Sequence, residues 1–155
     1  MTSTTRQREL LAAINHLMHL RSGARQGYDE KTLHKHGLGG YSLSELHVIQ
    51  HIGVSGLLNV TAISQRMQMT RGAISKICAK LLLRSVLEKS KMSGNQKETH
   101  FSLSIEGKKV FSEHEKLHKL AEEKWMKVLA NYSEEELMVI KRFITDVSGA
   151  VEHSR

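Results

Sequence analysis

Residues 59–84 read NVTAISQRMQMTRGAISKICAKLLLR, two helix-length segments separated by a very short break. Asn59 stands just before Val60–Met67, and Thr70 just before Arg71–Arg84. In both places a side-chain oxygen can accept from the free amides of a first helical turn. Ile74, Ile77, Cys78 and Leu81 recur at helical spacing and give the second helix an inward face. Only Gln68 and Met69 lie between the two, so the pair reads as a helix-turn-helix. Downstream, Val86–Met92 and Thr99–Leu103 read as strands of a β-hairpin around the polar tip Ser93–Glu98. A long helix follows from Glu106 to about Ala130. Ser133 and Glu136 then form a capping box for a last helix, with Leu137, Ile140, Phe143, Ile144, Val147 and Val151 on one side. Upstream, Ser42 and Glu45 form another capping box for a helix ending near Gly53. Gly23–Gly40 is a glycine-bearing connection holding a short helical turn around Asp29–Leu33. Residues 5–22 carry Leu10, Leu11, Ile14, Leu17, Met18 and Arg21 as a first amphipathic helix. Proline is absent, so helices must stop at Gly, Asn and Ser. The expected fold is mainly α with a small β-hairpin wing, a winged helix-turn-helix.

At 155 residues the chain has the length of one ordinary domain, with 39% apolar and 25% charged residues. Within it, 42–104 reads as the winged lobe, and 5–40 with 105–151 as a flanking helical region. No apolar run approaches the ~20 residues of a membrane span, and Met1–Arg8 lacks the apolar core of a signal peptide. A cytoplasmic protein with no membrane partner is expected. The one cysteine, Cys78, excludes an internal disulfide and a Cys-rich zinc module. On the inward face of its helix it reads as a buried inert thiol rather than a redox switch.

The net charge of +7 is concentrated. Arg66, Arg71, Lys76, Lys80, Arg84, Lys89, Lys91 and Lys97 face a single acid, Glu88, so this segment alone carries +7. The remainder, with 15 basic and 15 acidic residues, is neutral. Confinement to about a fifth of the chain distinguishes the run from an ordinary solvated face and points to a phosphate-binding surface. Thr70, Arg71, Gly72, Ser75 and Lys76 fall on the exposed start of the second helix, where base edges are read. Gly72 lets the backbone approach a groove, Arg71 can pair bidentately with guanine, and Lys76, Lys80 and Arg84 suit phosphates. Asn95, Gln96 and Lys97 at the hairpin tip suit a backbone or minor-groove contact.

Over roughly residues 8–150 the chain resembles the MarR family of transcriptional regulators. The resemblance rests on Leu58–Ser64, on Thr70–Leu81 and on the wing from Leu87 to Gly107. The family wing usually carries Asp-x-Arg at its tip and ends in Leu-Thr-x-x-x-Gly. Here those places read Asn95-Gln96-Lys97 and Leu103-Ser104-Ile105-Glu106-Gly107. Ser85 replaces the glycine that often closes the recognition helix. The resemblance implies a homodimer built from the first and last two helices. It also implies a repressor of transcription binding double-stranded DNA at a palindromic operator. An alternative within the family is release from DNA by a small organic, phenolic ligand.

Ten histidines are present. His16, His19, His34, His51, His100 and His153 read as surface or loop residues. His114 and His118 instead share a stripe with Phe111, Ala121, Trp125 and Val128 on the long helix, and their i, i+4 spacing allows both imidazoles to hold one metal. Residues 114–118 also match H-E-x-x-H, the zinc metallopeptidase signature. Against an enzyme stand the motif's brevity and the absence of a separate catalytic domain around it; no catalytic residues are expected. The chain is more narrowly similar to the zinc-responsive, AdcR/ZitR-like branch of the MarR family. That resemblance implies zinc held by Glu30 (or Asp29), His47, His114 and His118. A second site of that branch falls on His36, Leu46 and Glu113, where Leu46 cannot ligate. It implies further that zinc, tying the DNA-reading lobe to the dimer scaffold, acts as co-repressor by fixing the lobe spacing.

Overall fold

The structure, a computed structural model, describes residues 3–20, 30–91 and 98–152. The elements are α1 (Ser3–Leu20), α2 (Glu30–Lys35), α3 (Leu43–Ser55), β1 (Leu58–Asn59), α4 (Val60–Met67) and α5 (Arg71–Leu83). They continue with β2 (Leu87–Lys91), β3 (Thr99–Leu103), α6 (Ile105–Leu129) and α7 (Glu134–Glu152). None of these helices is long and apolar enough to cross a membrane.

The caps form as their chemistry requires. Ser42 Oγ accepts from the Glu45 amide while the Glu45 carboxylate accepts from the Ser42 amide, a complete capping box on α3. Asn59 Oδ1 accepts from the Ala62 amide at 2.8 Å and opens α4, and Thr70 Oγ1 accepts from the Ala73 amide and opens α5. Ser133 and Glu136 form the reciprocal pair at the start of α7. The α4–α5 turn closes through Gln68 in the left-handed region, φ 52°.

Two compact units result, with the division falling inside the unbroken α6: residues 28–117, and residues 1–27 with 118–155. The first holds the winged helix-turn-helix. Its core gathers Leu46, Val48, Ile49 and Ile52 of α3, Ile63 of α4, Ile74, Cys78 and Leu81 of α5, Val86 and Leu87, and Phe101 and Leu103 of β3. Val110 and Leu117 from α6 complete it. In the second unit α1 packs on α7 through Leu10, Leu11, Leu137 and Ile144, with Leu129 of α6. Ion pairs Arg6–Glu134 at 3.0 Å and Lys141–Glu9 at 2.5 Å flank that contact.

The sheet contains the expected pairing of β2 with β3 and adds a third strand to it. It has three antiparallel strands in the order β1-β3-β2, with Leu58 opposite Phe101 and Leu87 opposite Leu103. A two-residue strand has no periodicity to read, so β1 left no signal beyond the Asn59 cap. Its consequence is a central β3, and His100 on it is only 14% exposed rather than a surface residue. The end of α3, expected near Gly53, falls at Ser55 and closes at Gly56. Gly53 answers to packing instead, because a Cβ there would stand 2.4 Å from the Phe111 ring of α6. Gly107 is required more strictly: a Cβ would meet the Val86 carbonyl oxygen at 2.1 Å. Around it, Ser104 Oγ accepts from the Gly107 amide and donates to the Ser85 carbonyl, which joins the end of α5 to the start of α6.

Candidate nucleic-acid interface and histidine cluster

At the start of α5, Thr70, Arg71, Gly72, Ser75 and Lys76 are all exposed, while Ile74, Cys78 and Leu81 behind them are buried. The helix thus offers a continuous polar and basic N-terminal face on a fixed apolar back. Burial pushes the Cys78 thiol up to about 11, so it stays protonated and unreactive at neutral pH. Asn95 and Lys97 lie outside the described residues, as does Gln96.

Lys80 and Arg84, one and two turns further along, have partners within the chain. Lys80 Nζ lies 2.6 Å from Glu45 Oε1, and Arg84 Nη1 lies 4.0 Å from Glu45 Oε2. Arg84 also donates to the Gly40 carbonyl at 2.7 Å, and its guanidinium stacks 3.7 Å above the Tyr41 ring. Glu45 is 3% exposed. Burial pushes its carboxyl up, but the hydrogen bond from Lys80, the Ser42 amide and the two nearby cations outweigh that and hold it below its ordinary value. One carboxylate therefore caps α3 and anchors the basic side of α5. The sequence marks Glu45 only as a cap; its second partnership needs α3 and α5 side by side, which no local pattern encodes.

On the opposite side of α3, His47 meets α6. The rings of His47 and His114 lie 5.9 Å apart between centroids. His118 stands one turn beyond His114 on the same helix, and the ligand atoms of the three lie within 4.8 Å of one another. His114 is fully buried, His47 partly so, and His118 exposed. Three imidazoles with one ligand reaching solvent form a donor set that suits zinc. Glu30 does not join them: it is the exposed first residue of the six-residue α2, and the structure does not gather it with the histidines. Asp29 lies outside the described residues.

Two further contacts border the cluster. Gln50, one turn after His47, has Oε1 3.2 Å from His114 Nδ1 and donates from Nε2 to Glu115 Oε1. Glu115, the residue a zinc peptidase would need as general base, is thus bound to an amide. Sequence reasoning missed Gln50 because glutamine is not a ligand type. Nearby, His36 Nδ1 lies 3.2 Å from Glu113 Oε2, while Leu46, the remaining position of the second site, is buried in the core. Hydrogen bonds from Lys116 and then His36 hold the Glu113 carboxyl below its ordinary value.

Comparison with protein-family models gives no match. Among curated proteins, the chain is 34% identical over 106 residues to the uncharacterized HTH-type transcriptional regulator YhjH of Bacillus subtilis, covering 68% of this chain and 61% of that one. It is 29% identical over 111 residues to the HTH-type transcriptional regulator PchR of the same organism, covering 72% and 66%. The chain spans less than two thirds of the length of these relatives. Among solved structures, Streptococcus pneumoniae FabT in complex with DNA superposes with a TM-score of 0.65 at 21% identity, over 81% of this chain and 87% of that one. Lactococcus lactis ZitR, a zinc-responsive MarR family member, superposes with a TM-score of 0.65 at 17% identity, over 74% and 77%. The fold is that of the MarR-type winged helix-turn-helix proteins.

Proposed function

We propose that this protein is a sequence-specific DNA-binding transcriptional regulator, acting as a homodimeric repressor with zinc as co-repressor. The observation that carries the reading is the α5 face. Its exposed first turns hold Thr70, Arg71, Gly72, Ser75 and Lys76, in a fold shared with a protein solved on DNA. Such a helix inserts its N-terminal side chains into the major groove, where Arg71 meets a guanine edge and Lys76 a phosphate. Lys80 is exposed enough to reach a phosphate from its place beside Glu45, and Arg84 holds the α5 end to Gly40 and Tyr41. Asn95 and Lys97 complete the contact set at the wing.

Zinc control is supported by the three-imidazole set and by the likeness to a protein described as zinc-responsive. His47, His114 and His118 would hold the ion, with the fourth position left to water or a further side chain. When bound, it would cross-link α3 to α6 beside the Glu45 anchor of α5. The homodimer is supported by large apolar side chains left exposed in one chain, among them Trp125, Val139 and Phe143.

The test is DNA binding to a duplex selected by the protein from a random pool. Arg71→Ala should lose about 1–3 kcal/mol of affinity and relax preference at one base pair. Lys76→Ala should weaken all duplexes alike and reduce the salt slope by about 1. Unchanged binding in both variants would contradict the reading.

A further inference from the structure

Glu115, Gln50 and His114 form a row of hydrogen-bonding groups in which the direction of every bond follows from the first. A carboxylate oxygen only accepts, so the group of Gln50 facing Glu115 Oε1 is its amide nitrogen. That orientation turns Gln50 Oε1 toward His114 Nδ1, 3.2 Å away. An amide oxygen also only accepts, so the hydrogen between them belongs to Nδ1. The opposite tautomer would set two lone pairs against each other at this distance, on a ring that is fully buried. A neutral imidazole has one N–H, which leaves the lone pair at Nε2.

We propose that Glu115 and Gln50 are positioning residues that fix His114 as the Nδ1–H tautomer and so make Nε2 its metal-ligating atom. This rests on the metal reading above. The consequence is specific. Free histidine in water prefers the hydrogen on Nε2, the tautomer that must be undone before that nitrogen can ligate. The row removes that cost in advance and holds the ring plane, as partners of metal-bound imidazoles do. It also gives the polar side chain of Gln50 on α3, partly buried beside α6, a use beyond stability. The second residue of the H-E-x-x-H match then acts on its neighbour's ring, not on a substrate.

The experiment is nitrogen-15 NMR of histidine-labelled, metal-free protein at a pH above the imidazole range, with zinc affinity measured separately against a chromophoric chelator. The wild type should show His114 with a protonated Nδ1 and an unprotonated Nε2. Gln50→Leu should lose that signature and bind zinc about 10-fold or more weakly. Glu115→Gln is a near-isosteric change at an exposed position and should leave the fold intact. Its amide can face Gln50 with either end, and His114 should become a tautomer mixture. A wild-type His114 protonated at Nε2, or a folded Gln50→Leu protein with full zinc affinity, overturns the proposal. A wild type that has the Nδ1–H ring and takes up no zinc refutes the metal reading while sustaining the tautomer assignment, so the two fail separately.

Discussion

Glu45 has two tasks that substitution can separate. Glu45→Gln keeps an oxygen for the Ser42 amide but loses the charge that Lys80 and Arg84 face. Removing the charged half of such a contact should destabilise the protein by about 1–3 kcal/mol, toward the lower end because Lys80 is largely exposed. The folded carboxyl is held below its unfolded value, so its contribution is full above the unfolded value and is lost as pH falls through the folded one. Urea unfolding at several pH values should therefore show wild type and variant converging on acidification. A gap that stays constant into acid would contradict this. At this scale the sequence is legible wherever chemistry is local: Ser42, Asn59, Thr70 and Ser133 cap the helices they precede. It is opaque where a residue's partner lies on another element, as with Glu45 and Lys80, or Gln50 and Glu115.

Among elements, α5, the wing and α6 meet closely at Gly107. Gly107 faces the Val86 carbonyl, a backbone atom that has no rotamer by which to yield. Gly107→Ala should cost at least the ~1–3 kcal/mol of core overpacking and shift the thermal midpoint well down. An unchanged midpoint would mean the joint is looser than described. Reading this from sequence succeeded for the long elements, since α5, α6 and α7 carry several turns of periodicity. It failed for β1, whose two residues carry none. It gave the end of α3 to within a turn but not the role of Gly53, because a glycine needed for close approach to Phe111 looks the same in sequence as one that ends a helix.

For the whole molecule, the second unit exposes Val139 at 60% and Phe143 at 66% on α7. If a second copy covers them, Phe143→Glu should convert a dimer to a monomer in sedimentation, with the fold retained by circular dichroism. A dimer that persists would place the interface elsewhere. Of the metal set, periodicity gave the pair His114 and His118, and only family resemblance supplied His47, since a ligand from a distant helix has no spacing rule. The proposed function has two parts, DNA binding at the α5 face and control of that binding by the histidines. The most direct measurement is fluorescence anisotropy on a selected duplex, with zinc and with a chelator, for wild type and His114→Ala. The wild type should bind tightly only with zinc, and the variant weakly in both conditions. Equal affinity of the wild type with zinc and with chelator, or a zinc response that survives in His114→Ala, would contradict it.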